Sequence, residues 1–287
     1  MSVGGSQALP CTNATPEHDP GFRIITTMRN IAFSSGDALM ANPCISEWHT
    51  RNEKLLSFHC ERFRAAAHAF NWISASQELD KATFIHRLEQ AVEEATSSNP
   101  QPSTGKIQDI RVRILIDREG KISAESVPMG GERLLEALTT DTFHQLPANG
   151  PPPSISRDDR CSSISVDSAP TTPVLYTLHK TTHRNPYDLA RERAKISKSP
   201  PGECEVLLFN PRQEIMEASL CTVYFYRNGK WIVPSSETGG MNSATKLWAL
   251  DEGFCTEGIV KLEGVKQGEI VWLSNALRGF FLGRIYF

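Results

Sequence analysis

The apolar positions begin late. Residues 1–20, MSVGGSQALPCTNATPEHDP, offer almost nothing to bury and read as a disordered tail. The first apolar run, FRIITTMRNIAF from Phe22, is β-rich and reads as a strand. Across 54–74, Leu55, Leu56, Phe63, Ala66, Ala67, Phe70 and Trp72 recur near the 3.6-residue period of a helix. A second stripe over 78–96 carries Leu79, Phe84, Ile85, Leu88, Val92 and Ala95. After a polar loop at 97–105, apolar and basic residues alternate in IRVRILID. The turn DREG at 117–120 and the return KISAESVP complete a β-hairpin. Arg111 and Arg113 share one face of that strand, as a solvated sheet face or an anion site.

Residues 147–173, rich in Pro, Ser and Asp, read as a flexible linker. Beyond it, VLYTL reads as a short strand that turns into a helix. CEVLLFN, the EIMEASLCTVYFY segment and KWIVP read as further strands, with Asn228-Gly229 forming a tight hairpin. SATKLWALDEG reads as a helix ended by Gly253, and GEIVWLSN as an apolar strand leaving into ALRGFFLGRIYF. The expected architecture is α+β in two bodies of similar size, 21–146 and 174–287, mostly antiparallel sheet with flanking helices and a cleft between them.

Composition narrows the function. Among 287 residues, 30 basic and 33 acidic side chains leave a net charge of −3, which argues against a broad nucleic-acid face. No apolar run approaches the roughly 18–20 residues of a membrane span, and 1–20 lacks the character of a secretory signal. A soluble, intracellular protein is expected. The hydrophobic content of 39% is an average over packed bodies and the tail, loop and linker. Seven cysteines, no two of them three apart, suggest neither a zinc ribbon nor a disulfide framework; Cys204, Cys221 and Cys255 read as small core residues. GxSxG, P-loop, HExxH and GxGxxG motifs are all absent. His179 and His183, four apart, have no accompanying carboxylate pattern, so no metal site is expected.

Four features carry candidate chemistry. Lys180 follows an apolar run, and is either an exposed strand-end lysine or a buried amine that is neutral or covalently engaged. Glu217 heads a nearly uncharged strand, either at a wet edge or against a cation. GGMNSAT at 239–245 opens a helix with small residues, an ordinary cap or a phosphate cradle. Arg62 could contact a phosphate or snorkel from the first long helix.

Taken in order, LHKTTHRNPYDLAR (178–191), EVLLFNPRQEIMEASLCTVYF (205–225), GGMNSATKLWALDEG (239–253) and IVWLSNALRGFF (270–281) resemble the fold-type IV pyridoxal-phosphate enzymes of the class IV aminotransferase family, most of all its 4-amino-4-deoxychorismate lyase branch. IITTMRN, FHCERF and IRVRILIDREGKI extend the likeness more weakly into the first body. The resemblance implies a small N-terminal α/β domain at 21–146, a larger, mostly antiparallel β domain at 174–287, and pyridoxal 5′-phosphate as cofactor in the cleft between them. Lys180 would bind it and move protons, and Glu217 would hold its ring nitrogen. Arg62, Ser243, Ala244 and Thr245 would hold its phosphate, with Asn275 near the phosphate and substrate and Arg184 and Tyr187 in support. It implies a cytoplasmic homodimer with a small-molecule substrate, and a reaction releasing 4-aminobenzoate and pyruvate; a transaminase on branched-chain, D- or aryl amino substrates and a non-catalytic relative are the alternatives. Two positions depart from the family pattern: Thr222 stands where many relatives carry asparagine, and Ser243 where glycine is usual. The 147–173 insert and the irregular 33–53 stretch are also longer than a compact relative needs.

Overall fold

The computed structural model describes residues 16, 19–33, 43–72, 81–154 and 161–287. Nearly all of the expected tail, and the 34–42 part of the irregular stretch, lie outside the described residues. In the first body, strand β1 (Ile24–Phe33) pairs antiparallel with β2 (Lys106–Ile116), and β2 with β3 (Ile122–Leu134). Helices α1 (Pro43–Ala69) and α2 (Lys81–Ser97) pack against this sheet, burying Leu56, Phe63, Phe84 and Leu88 with Met28, Ile110 and Val112. Helix α1 starts eleven residues before the predicted position 54. Its first turns are polar in composition, yet Ile45, Trp48 and Asn52 already fall at helical spacing and are buried. Asn71, in the left-handed conformation at φ 53°, follows its end. The hairpin forms as predicted. Arg111 is exposed and Arg113 lies 3.9 Å from Glu125, so this is a solvated face.

The second body is built on an eight-stranded sheet. Its strands are β4 (Ser162–Val166), β5 (Cys204–Phe209), β6 (Ile215–Ala218), β7 (Thr222–Arg227), β8 (Lys230–Pro234), β9 (Cys255–Gly258), β10 (Ile270–Asn275) and β11 (Gly279–Ile285). Their spatial order is β6-β5-β4-β11-β10-β7-β8-β9. The sheet is mixed: β4 runs parallel to both β5 and β11, and β8 parallel to β9, while the other neighbours are antiparallel. Asn228 and Gly229, at φ 52° and 80°, make the β7–β8 turn, and Gly253 at φ 68° follows helix α5 (Ala244–Asp251), both as predicted. Cys221 and Cys255 are buried as expected, while Cys204 is only half-buried.

Two readings are corrected. The 147–173 stretch is not a linker throughout, because β4 lies in the middle of the large sheet with Ile164 fully buried. Beyond β4 the backbone continues along β5, with Asp167 N donating to Leu207 O and Thr171 N to Phe209 O. Its serines hid the strand: Ser162 and Ser165 satisfy their hydroxyls on the Gly202 and Glu205 carbonyls, so a polar composition is compatible with burial. VLYTL, expected as a strand, is a single helical turn, α3 (Leu175–Leu178), because the Thr177 hydroxyl closes the turn onto Val174. Helix α4 (Asn185–Arg193) follows and lays Tyr187 and Ala190 on β5 and β6 against Val206, Leu208 and Met216. Among the described residues, no helix is long and apolar enough to cross a membrane.

Candidate active site

Lys180 sits on a short extended segment between α3 and α4 that is stitched to β1 of the other body. Its carbonyl accepts from Ile25 N at 2.9 Å, Thr181 bridges to Ile24, and Thr182 N donates to Arg23 O. This fixes the lysine in the cleft between the bodies. The cleft has an inner chamber of about 70 Å³ and an outer one of about 510 Å³, and His59, Arg62 and Lys180 line both. A roomier cavity of about 820 Å³ lies between β1, α1 and α2, but its described lining holds no lysine or arginine. The chemistry gathers at the smaller site.

All nine residues singled out from the sequence line the inner chamber. Burial, reinforced by Arg62 and Arg184, lowers the Lys180 amine to about 7, so that much of it is neutral near neutral pH. Glu217, on β6 and 7% exposed, is pushed up to about 7 by burial. Two donors work against that shift, the Tyr187 hydroxyl at 2.8 Å and Met241 N at 2.9 Å, both at Oε1. The Tyr187 hydroxyl also lies 3.0 Å from the Thr177 carbonyl, tying the lysine-bearing turn to the glutamate strand. Oε2 accepts no hydrogen bond from the described residues.

Arg62, from α1, donates to Thr26 Oγ1 at 3.2 Å and to Met241 Sδ at 3.4 Å, and burial lowers it to about 10. Ser243 caps α5, accepting from Lys246 N at 3.0 Å, so the amides of Ala244 and Thr245 precede the first intrahelical bond. Ser243 Oγ meets Thr222 Oγ1 at 2.6 Å and Thr245 Oγ1 at 3.2 Å; Ser274 then links Thr245 to Tyr224 at 2.8 and 2.9 Å. The two departures from the family pattern are thus in direct contact. Asn275 turns its carbonyl oxygen onto the Leu277 and Arg278 amides and its amide onto Cys221 Sγ. Arg184 reaches Ser219 O at 3.1 Å and lies over the Tyr187 ring. His179 and His183 do not pair: their rings lie against Phe70 and Tyr176 respectively.

Sequence reasoning missed two contributors. His59 is fully buried and bonds Thr26 Oγ1 through Nδ1 at 2.6 Å; the FHCERF segment singled out Arg62 and gave the histidine before it no task. Glu205, also fully buried, accepts from Ser219 Oγ and Leu220 N and so holds the 219–221 wall of the chamber. It lies on another strand, and no local spacing joins it to that loop.

The family model for class IV amino-transferases matches residues 49–282. A Schizosaccharomyces pombe protein provisionally named aminodeoxychorismate lyase is 25% identical over 229 residues, covering 78% of this chain and 80% of that protein. The aminodeoxychorismate lyase of Saccharomyces cerevisiae is 28% identical over 199 residues, 62% of this chain; the matched region spans about half, 52%, of that relative's length. Among solved structures, the fold is similar to that of a provisionally named amino-acid aminotransferase from Mesorhizobium loti (TM-score 0.59, 19% identity, 92% of this chain and 99% of that one). It is also similar to that of the branched-chain amino acid aminotransferase of Escherichia coli (TM-score 0.53, 12% identity, 93% and 77%).

Proposed function

Because the chain belongs to the class IV aminotransferase family, we propose that it is a pyridoxal 5′-phosphate enzyme that converts 4-amino-4-deoxychorismate to 4-aminobenzoate and pyruvate. The observation that carries this reading is one chamber lined by a lysine lowered to about 7, a buried glutamate with one uncommitted oxygen, and a half-buried arginine beside a helix N-terminus. That donor set fits the cofactor. Arg62, the amides of Ala244 and Thr245 and the Ser243 hydroxyl would hold its phosphate, and Glu217 Oε2 would meet its ring nitrogen. When bound, pyridoxal phosphate supplies an electron sink for charge developing at the amine-bearing carbon.

Lys180, partly neutral at neutral pH, takes the proton from the amine-bearing carbon of the substrate. Tyr187 and Met241 N keep Glu217 oriented and favour its ionised form. Loss of the enolpyruvyl group as pyruvate aromatises the ring, so binding and orientation are the main tasks left to the protein. The names of the two fungal relatives, and the KTT, YD and AR positions between Lys180 and Arg191, favour the lyase over a transaminase. Incubating the purified protein and cofactor with 4-amino-4-deoxychorismate should yield pyruvate and 4-aminobenzoate in equal amounts, and Lys180→Ala should abolish both. Amino transfer to a keto acid with neither product formed would overturn the lyase reading in favour of the transaminase. The homodimer implied by the resemblance is checked by sedimentation.

A further inference from the structure

His59 is fully buried, and its Nε2 has no hydrogen-bond partner. The hydrogens around it can be placed by elimination. Arg62 Nη1 donates to Thr26 Oγ1, and the Thr26 hydroxyl has no acceptor other than His59 Nδ1 among the described residues. If Nδ1 carried the proton, both the Thr26 hydrogen and the Nε2 lone pair would be stranded. If Thr26 donates to Nδ1, only one group is stranded, the Nε2–H. Burial, together with Arg62 and Lys180, holds the imidazole well below its usual range, so the ring is neutral and this single-proton arrangement is the one available. The result is a dry N–H donor one helical turn before Arg62, on a ring that lines both chambers of the cleft. Buried donors are ordinarily satisfied, and among the described residues that keep an unsatisfied buried atom His59 alone lines these chambers.

We infer that His59 donates its Nε2–H to the phosphate of the cofactor, forming with Arg62 a two-sided seat for that anion on α1. Arg62 and Lys180 repel cations from the same place, so the missing acceptor is an anionic oxygen. Thr26 fixes the proton on Nε2, the ring nitrogen left without a partner. The inference rests on the cofactor reading above.

The test compares pyridoxal 5′-phosphate with pyridoxal, which lacks the phosphate, by quenching of tryptophan fluorescence in the full-length chain. His59→Phe keeps the ring and removes the donor, whereas His59→Gln places an amide N–H near the Nε2 position. Phe should weaken pyridoxal phosphate on the order of tenfold while leaving pyridoxal unchanged, and Gln should recover most of the loss. Equal effects on both ligands, no effect on either, or a loss confined to the substrate KM overturns the inference. If the wild-type chain binds no pyridoxal phosphate, the cofactor reading itself fails, a result distinct from these. If His59→Phe does not fold, ¹⁵N shifts of the wild-type ring decide: Nε2–H should move on adding pyridoxal phosphate and stay in place with pyridoxal.

Discussion

Burial of Lys180, reinforced by Arg62 and Arg184 in the same chamber, costs stability as well as priming the amine. The direction with pH follows from linkage. Between about pH 7 and the ordinary lysine value near 10.4, the unfolded chain holds a proton that the folded chain does not, so stability rises with pH across that window, and the full cost is present below it. Lys180→Met should therefore stabilise the cofactor-free protein at pH 7 by about 1–3 kcal/mol, discounted for the partial exposure of the amine, and the gain should fade towards pH 10. Urea unfolding at a series of pH values checks this; a gain that does not vary with pH would assign it to packing instead. At the other end of the chamber, Thr222 and Ser243 form one hydrogen-bonded unit. Thr222→Asn and Ser243→Gly made singly should each weaken cofactor binding. Together they should show a coupling of about 0.5–2 kcal/mol in a double-mutant cycle, since the pair restores the family's own combination.

The elements set these side chains in place through close contacts that tolerate little. Gly240 leads into α5 where a Cβ would run into the Met216 carbonyl on β6, and the next amide, Met241 N, holds Glu217. Gly240→Ala should thus cost about 2 kcal/mol or more and weaken the cofactor together with the fold. A loss of stability with unchanged affinity would separate the two effects. Ile164, at 0% exposure on β4, should cost about 2–4 kcal/mol as Ile164→Ala in thermal or chemical unfolding, which a linker residue would not. Elements with strong periodicity or a distinctive turn were legible in the sequence: the β2–β3 hairpin, the Asn228-Gly229 turn, α2, and α5 with its terminal glycine. Those carried by polar residues were not. Helix α1 begins among charged residues whose burial depends on the sheet beneath, and β4 is serine-rich because its neighbours supply acceptors. The site residues were legible through order and type. The Thr26–His59–Arg62 chain was not, because it joins residues 33 and 36 positions apart through hydroxyl geometry that spacing cannot encode.

Neither body could make the cleft alone. β1 holds the Lys180 backbone through Ile25 and the loop after Asn275 through Arg29 N to Ala276 O, while Lys54 on α1 pairs with Asp251 and Glu252 at the end of α5. A ligand gripping Arg62 from one side and Glu217 from the other should therefore stabilise the whole chain. Pyridoxal phosphate at a hundred times its Kd should add about 2.7 kcal/mol and raise Tm in a single transition; a rise in only one of two resolved transitions would place the ligand within one body. The strand order carries a consequence for how the protein is made. β11, the last strand in chain order, lies between β4 and β10, so until it emerges from the ribosome the sheet exists only as two separate portions with open edges. Those edges are the surfaces most prone to pair with another chain, and the long-range closure that hides them is slow. During synthesis the nascent protein therefore holds a half-built sheet and an open cleft until β11 is in place, the interval in which chaperones would matter most to it.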